Sequence, residues 1–301
     1  MTLLRQFVLV LIVSLLALGG VQLRADEVSL DHAGLKLNAS WKPVGDEWQS
    51  GPVLLMTHGT LAHGRMEIME TLQQLFADAG LSSLSITLSL GQSDRHGMYD
   101  CATLHAHKHT DALDEIGVWL KWLKEQGAEQ VVLLGHSRGG NQTAWFAVER
   151  DDPVIRKVVL IAPQTWDEQA AAGSYEQRYG EAVSKLLAQA QAQVDAGKGS
   201  AEIKTRGFIY CADATATADA VLSYYKPEQR MDTPSLLPQI SKPVLVIAAT
   251  NDESVPGLPD SLAPLAEQGV IELVVIDGAD HFFRDLYADE VLEAIQEFVE
   301  Q

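Results

Sequence analysis

Residues 131–140 read Val-Val-Leu-Leu-Gly-His-Ser-Arg-Gly-Gly, and this stretch decides the fold. Its four leading apolar residues predict a buried strand, and the segment from Asn141 to Arg150 predicts a helix. Between them lies a Gly-x-Ser-x-Gly turn, on which Ser137 would be strained with its hydroxyl exposed. Glycine is required at both ends of the turn because a side chain there would clash where strand and helix nearly touch. The stretch therefore predicts a nucleophile elbow rather than a plain glycine-rich connection.

A serine nucleophile at position 137 requires a base and an acid. A free hydroxyl is a poor nucleophile until an imidazole takes its proton. Of the nine histidines, His281 is best placed, because it follows a predicted strand and precedes the last helix. Asp252 follows the preceding predicted strand and is the expected carboxylate that orients the imidazole. Asp277 and Asp280 are closer in sequence to His281, but they share its loop and are expected to shape the turn.

An oxyanion hole requires two backbone N–H groups near the nucleophile. Arg138 supplies one at the start of the predicted helix, where the helix dipole also favours negative charge. The second is expected from the turn His58-Gly59-Thr60-Leu61, which follows the predicted strand Pro52–Met56. Thr60 is the first choice for this donor, and Leu61 is the alternative.

Together these motifs resemble the α/β-hydrolase superfamily over roughly residues 35–301. The order Ser137, Asp252, His281 along the chain is the order of that superfamily, and the stretch 89–94 resembles its loop after the preceding strand. The resemblance implies a serine hydrolase that works through an acyl-enzyme, as serine esterases and lipases do. We expect no cofactor and no metal. A serine nucleophile argues against the dehalogenases and epoxide hydrolases of the superfamily, which use aspartate.

The pattern of elements predicts an α/β fold with a mainly parallel central sheet flanked by helices. Strands alternate with helices except over residues 164–242, which are too long for an ordinary connection. Helical spacing within this segment predicts a helical cap, inserted before the strand that carries the acid. We therefore expect an α/β-hydrolase core at 26–163 and 243–301, with a cap at 164–242 that sets specificity. A peripheral insertion away from the site is the alternative.

The N-terminal segment and the net charge bear on location and partners. Residues 1–25 have a basic residue, a short apolar run and small residues before an acidic stretch, which predicts a secretory signal peptide. The run is short for a membrane span, although an uncleaved N-terminal anchor is the alternative. The formal net charge of −19 disfavours nucleic acid and anionic lipid as partners. We expect a periplasmic or secreted protein that acts on a small-molecule ester, without stable membrane association after signal cleavage. Its oligomeric state is open.

Two further groups of residues leave alternatives open. Cys101 and Cys211 would pair in an oxidising compartment or stay as two free thiols, and the sequence does not decide between these outcomes. The histidines between His96 and His109 form a local cluster with nearby acids, for which a metal site is the alternative because imidazole and carboxylate suit zinc, although the spacing matches no recognised ligand pattern. We interpret this cluster as a polar loop at the rim of the pocket.

The sequence thus predicts hydrolysis of carboxylic esters by Ser137, His281 and Asp252. A peptidase, a thioesterase and a carbon–carbon hydrolase are alternatives that would use the same three residues. A non-catalytic binding protein that kept the fold is an alternative of another class. The substrate is not predicted, because the fold supports many functions and the cap decides among them.

Overall fold

The computed structural model describes residues 26–301, so the predicted signal peptide lies outside the described residues. The strands are β1 (Asp26–His32), β2 (Leu35–Lys42), β3 (Pro52–Thr57), β4 (Ser82–Thr87), β5 (Gln130–His136), β6 (Ile155–Ile161), β7 (Glu202–Lys204), β8 (Gly207–Phe208), β9 (Cys211–Ala212), β10 (Thr215–Thr217), β11 (Val244–Ala249) and β12 (Glu272–Ile276). The helices are α1 (Glu67–Asp78), α2 (Asp111–Glu125), α3 (Arg138–Glu149), α4 (Glu168–Tyr179), α5 (Val183–Asp195), α6 (Ala218–Tyr225), α7 (Thr233–Leu236), α8 (Leu258–Glu267) and α9 (Leu286–Glu300). Within this part of the chain, no helix is long and apolar enough to cross a membrane.

Eight strands form one central sheet in the order β1-β2-β4-β3-β5-β6-β11-β12. Strand β2 runs antiparallel to β1 and β4, and the remaining neighbours are parallel. The predicted mainly parallel sheet is confirmed. Because β3, β5, β11 and β12 are mutually parallel, the loops after them meet at the same edge of the sheet.

Both faces of the inner strands β3, β5 and β11 are buried, which explains why these strands are nearly continuous apolar runs. In β5, Val131 and Leu133 pack on one face, while Val132 and Leu134 pack on the other. Helices α2, α3 and α8 cover the first face, and α1 and α9 cover the second. The elbow therefore projects from the rigid centre of the core.

Residues 164–242 separate β6 from β11. They contain α4 to α7 and also β7 to β10, which pair as two small antiparallel sheets. These short strands were not part of the predicted helical cap. The segment has an apolar cluster of its own, which includes Leu186, Phe208 and Val221 and extends to Leu61 and Tyr99 of the core.

The segment 164–242 is tied to the loop between β4 and α2. A disulfide joins Cys101 to Cys211, which answers the question that the sequence left open. Beside it, the backbone of His105 exchanges two hydrogen bonds of 2.9 Å with Thr215 and Thr217. The segment is therefore held over the sheet edge by covalent and backbone links as well as by apolar packing.

Candidate active site

Ser137 stands at the turn between β5 and α3 with φ of 57° and ψ of −125°. A Cβ at Gly135 would lie 2.5 Å from the Gly139 carbonyl oxygen, and one at Gly139 would lie 2.2 Å from the His58 carbonyl oxygen. No side chain fits at either distance, so both glycines are required by close backbone approach, as predicted. The helix begins at Arg138, three residues before the predicted start, because Ser137 itself is the residue that turns the chain.

The structure brings the three predicted side chains together. His281 Nε2 lies 2.9 Å from Ser137 Oγ, and His281 Nδ1 lies 2.7 Å from Asp252 Oδ2. The other carboxylate oxygen of Asp252 accepts hydrogen bonds from the N–H groups of Ser254 and Val255. Asp252 and His281 are buried, whereas Ser137 is partly exposed. The carboxylate is thus fixed by the backbone and leaves one oxygen for the imidazole.

Asp252 stays ionised although it is buried. Burial opposes the charge, but the hydrogen bond from His281 and those from the backbone outweigh it and hold the pKa of Asp252 below its ordinary value. Asp277 instead accepts a hydrogen bond from Thr250 Oγ1, and Asp280 accepts one from the N–H of Phe282. These two acids shape the turn, as predicted.

The backbone N–H groups of Arg138 and Thr60, the predicted oxyanion donors, lie at the edge of the sheet where β3 and β5 end. In the described part of the chain, the N–H groups of Arg138 and Thr60 donate to no protein acceptor. The Arg138 side chain reaches across from α3, where its Nε–H donates to Thr60 Oγ1 over 2.9 Å. Leu61, the alternative donor, has a φ of 55°, so the turn is strained at that residue. The backbone N–H groups of Arg138 and Thr60 are therefore available to bind an oxygen atom.

The turn after β3 is held in place by two buried side chains, His58 and Arg95. The sequence analysis did not predict this role for either residue. His58 Nδ1–H donates to the Gly59 carbonyl, and His58 Nε2 accepts from the N–H of Leu88. The Arg95 guanidinium donates to the carbonyls of Ala62 and Leu88. Burial, and then the charge of Arg95, hold the pKa of His58 well below its usual value, so the ring is neutral.

His136 positions the loop that carries the imidazole. Its Nε2–H donates to the carbonyl of His281 over 2.9 Å. Burial, followed by the proximity of His281, lowers the pKa of His136 to about 4, so the ring is a neutral donor at pH 7. The sequence analysis did not predict this role, because His136 occupies a position of the Gly-x-Ser-x-Gly motif at which the motif specifies no residue.

A cavity of about 380 Å³ lies between the sheet edge and residues 164–242. Arg138 and Ser254 contribute to it from the core. Its aromatic lining consists of Trp166, Tyr175, Tyr179, Tyr210, Tyr224 and Tyr225. This size and lining are typical of sites for small organic molecules.

The histidines between β4 and α2 do not form the predicted polar rim. His105, His107 and His109 are buried, and only His96 is exposed, beside Glu27. Burial lowers the pKa of His107 to about 3 and that of His105 to about 4. They pack under residues 164–242, which the sequence could not show. Among residues 26–301, no group of three or more His, Cys, Asp or Glu side chains converges as metal ligands would.

The sheet order and the strand–serine–helix turn are those of the α/β-hydrolase class. The sequence pattern of the alpha/beta hydrolase family matches residues 53–294, and the chain belongs to that family. No curated protein matches the sequence.

Similar solved structures include Est1E from Butyrivibrio proteoclasticus, at 21% identity over 90% of this chain and 96% of that protein, with a TM-score of 0.61. E-2-(acetamidomethylene)succinate hydrolase aligns at 20% identity over 92% of this chain and 100% of its own, with a TM-score of 0.60. Esterase Pf2001 from Pyrococcus furiosus aligns at 17% identity over 92% and 90% of the two chains, with a TM-score of 0.58. At these identities the likeness supports the fold.

Proposed function

We propose that this member of the alpha/beta hydrolase family is a serine hydrolase that cleaves small carboxylic esters. The observation that carries the proposal is the continuous path from Asp252 through His281 to the hydroxyl of Ser137, with contacts of 2.7 and 2.9 Å. A serine on a strand-to-helix turn, an imidazole base and a carboxylate that orients it are the parts that acyl transfer requires. Est1E, similar in fold, has also been solved with ferulic acid bound, which agrees with a small organic acid as a product.

Acylation begins when Ser137 Oγ attacks the ester carbonyl while His281 Nε2 takes the hydroxyl proton. Asp252 keeps the Nδ1 proton in place and stabilises the imidazolium that forms. The carbonyl oxygen becomes negative and accepts hydrogen bonds from the N–H groups of Arg138 and Thr60. Each such donor is worth about 3 kcal/mol in the transition state. The imidazolium then gives its proton to the alcohol, which leaves.

Deacylation reverses these roles with water as the nucleophile. His281 removes a proton from the water molecule, which attacks the acyl carbon bound to Ser137. The same two N–H groups hold the second oxyanion. When the tetrahedral intermediate collapses, the imidazolium returns the proton to Ser137 and the carboxylic acid is released. No residue outside this set needs to change its protonation state.

We also propose that residues 164–242 act as a cap and that the protein works outside the cytoplasm. The cap assignment is supported by the cavity, since most of its lining residues lie between 164 and 227. The location is supported by the disulfide between Cys101 and Cys211, because such bonds persist in oxidising compartments. The sequence of residues 1–25 agrees with export by a signal peptide.

The test of the nucleophile is Ser137→Ala, assayed with p-nitrophenyl acetate and p-nitrophenyl butyrate. We expect the wild type to turn over at least one ester and kcat to fall on the order of 10⁶-fold in the variant, to the level left by the other groups. Ser241→Ala, at an exposed serine, is the matched control and should keep full activity.

A fluorophosphonate probe separates an enzyme from a binding protein that kept the fold, because only an activated serine reacts. We expect the probe to modify the wild type at Ser137 and to leave Ser137→Ala unmodified. A wild type that neither reacts nor hydrolyses esters, or a Ser137→Ala protein that keeps its activity, contradicts the proposed function.

A further inference from the structure

The guanidinium of Arg138 lines the cavity without a carboxylate partner. Besides the bond to Thr60, an Nη1–H points to His109 Nδ1 at 3.5 Å, and the group lies over the ring of Tyr224, with Cζ 5.3 Å from its centroid. None of the ion pairs formed within residues 26–301 includes Arg138. A guanidinium has five N–H donors, so three of them are without a protein acceptor in this part of the chain.

A buried network fixes the position of this cation. The His109 ring donates from Nε2 to Asn141 Oδ1 over 2.9 Å, which leaves Nδ1 as an acceptor for Arg138. Asn141 is oriented in turn, because its amide donates to Thr233 Oγ1 and to the Arg230 carbonyl. Burial, and then the charge of Arg138, lower the pKa of His109 to about 3. The neutral ring therefore holds the guanidinium without cancelling its charge.

The cavity is locally positive in a strongly acidic protein. The charged side chains of its lining are Arg138, Arg178 and Glu168, of which Arg178 and Glu168 are both exposed, so Arg138 is the charged group that is partly buried. The whole chain, by contrast, has a formal net charge of −19. Arg178 stacks over Tyr210 at 4.5 Å and, like Arg138, joins no ion pair within residues 26–301. A fixed cation in an aromatic cavity is a site for an anion with an apolar body.

We propose that Arg138 binds a carboxylate of the substrate, so that this enzyme prefers esters that carry an anionic group on an aromatic or other apolar body. The proposal rests on the proposed ester hydrolysis and names its substrate class. A carboxylate matches the planar fork of a guanidinium and can accept two of its N–H groups. Because Arg138 directly follows Ser137, the bound carboxylate orients the ester next to the nucleophile. The carboxylate takes no part in bond making, and the reaction remains the acyl transfer described above.

The test compares esters that differ only in charge. One pair is 4-acetoxybenzoate and 4-acetoxybenzamide, in which the leaving group carries a carboxylate or a neutral amide of nearly the same shape. The second pair is monomethyl terephthalate and methyl 4-carbamoylbenzoate, in which the acyl group carries the carboxylate or the neutral amide. We expect kcat/KM to be about tenfold or more higher for the carboxylate in at least one pair, the size of one charge-assisted hydrogen bond.

Variants at Arg138 connect this preference to its side chain. Arg138→Gln should reduce the ratio of the two kcat/KM values to near one, and Arg138→Lys should keep part of the preference because it keeps the charge. The ratio is taken within each protein, so a change in the oxyanion hole affects both members of a pair. Arg156→Gln is the matched control: it removes the same charge from an exposed position at the amino end of β6 and should leave the ratio unchanged.

Calorimetry with Ser137→Ala measures the site without turnover. We expect 4-acetoxybenzoate to bind about tenfold more tightly than 4-acetoxybenzamide, and this difference should vanish in Ser137→Ala/Arg138→Gln. The carboxylate site is overturned if active wild-type enzyme shows no preference in either pair, or if Arg138→Gln keeps it. If the fluorophosphonate probe does not react, the proposed hydrolysis fails instead. The calorimetric difference then supports or overturns the carboxylate site by itself.

Discussion

Asp252 decides which ring nitrogen of His281 faces the serine. Its carboxylate accepts a hydrogen bond from His281 Nδ1–H, so the unprotonated Nε2 faces Ser137 Oγ at 2.9 Å and is the proposed base. In Asp252→Asn, the amide would donate to Nδ1 and favour the wrong tautomer, and we expect kcat for p-nitrophenyl esters to fall by about 10⁴-fold. Asp277→Asn is the control in the His281 loop and should change kcat less than twofold. Equal losses in both variants would contradict the assignment of Asp252.

Glu115 on α2 is a buried acid that affects how the stability of the fold depends on pH. It accepts hydrogen bonds from the N–H and the hydroxyl of Ser89, but burial is the larger effect and raises the pKa of Glu115 to about 7. The folded state therefore binds a proton that the unfolded state loses near pH 4.5. For an acid with a raised pKa, stability falls as the pH rises from the unfolded value through the folded one.

Replacement of Glu115 by glutamine tests this linkage. Between pH 4.5 and 8, the free energy of unfolding of Glu115→Gln should rise relative to the wild type by up to about 3 kcal/mol, because glutamine cannot ionise. Urea unfolding at several pH values measures the difference. Glu125→Gln, on the exposed side of the same helix, is the control that removes one acidic charge from α2. A flat difference for Glu115→Gln would mean that Glu115 is ionised in the folded state at pH 5.

At the scale of elements, α3 closely approaches the turn after β3, and we propose that the N–H groups of Arg138 and Thr60 at this contact form an oxyanion hole. Gly139 makes this approach possible, since a Cβ there would lie 2.2 Å from the His58 carbonyl oxygen. We expect Gly139→Ala to lower the free energy of unfolding by about 1–3 kcal/mol through overpacking. It should also lower kcat more than it raises KM, because the turn that carries Thr60 must move.

The matched control for that substitution is Gly173→Ala in α4. A Cβ at Gly173 would have no atom within 4 Å, and alanine is the better helix former. We therefore expect Gly173→Ala to leave the stability unchanged or to raise it by up to about 1 kcal/mol. Urea unfolding and steady-state kinetics of both variants check the contrast. Equal effects of the two substitutions would contradict the tight contact at Gly139.

Some elements could be predicted from the sequence and others could not, for physical reasons. Strand β5 is buried on both faces and reads as an apolar run, so the strand predicted from its four apolar residues 131–134 lies within two residues of the observed bounds. Helix α4 was missed because only Tyr175 is buried on it, which leaves no apolar period to detect. Helix α8 was missed because it contains two prolines, one at its second position and one at Pro264, and proline inside a segment argues against a helix.

At the scale of the whole molecule, the same distinction holds for the site. Ser137, Asp252 and His281 could be placed because each follows a strand of a sheet whose topology is simple. Contacts between distant segments could not be placed, and His105 to His109 are the example. Nothing local shows that His105, His107 and His109 will be covered by residues 164–242 and become neutral among aromatic side chains. Arg138 acquires its cavity in the same way, from a segment that is remote in sequence.

The disulfide between Cys101 and Cys211 joins these remote segments and closes a loop across 110 positions of the chain. A cross-link of that span restricts the unfolded chain and is worth up to about 5 kcal/mol. We expect reductant, or the double substitution Cys101→Ser and Cys211→Ser, to lower the free energy of unfolding in urea by that order. Reductant should have no effect on the double variant, which serves as the control. A wild type in which both cysteines are alkylated without reductant, with unchanged unfolding on reduction, would contradict this cross-link.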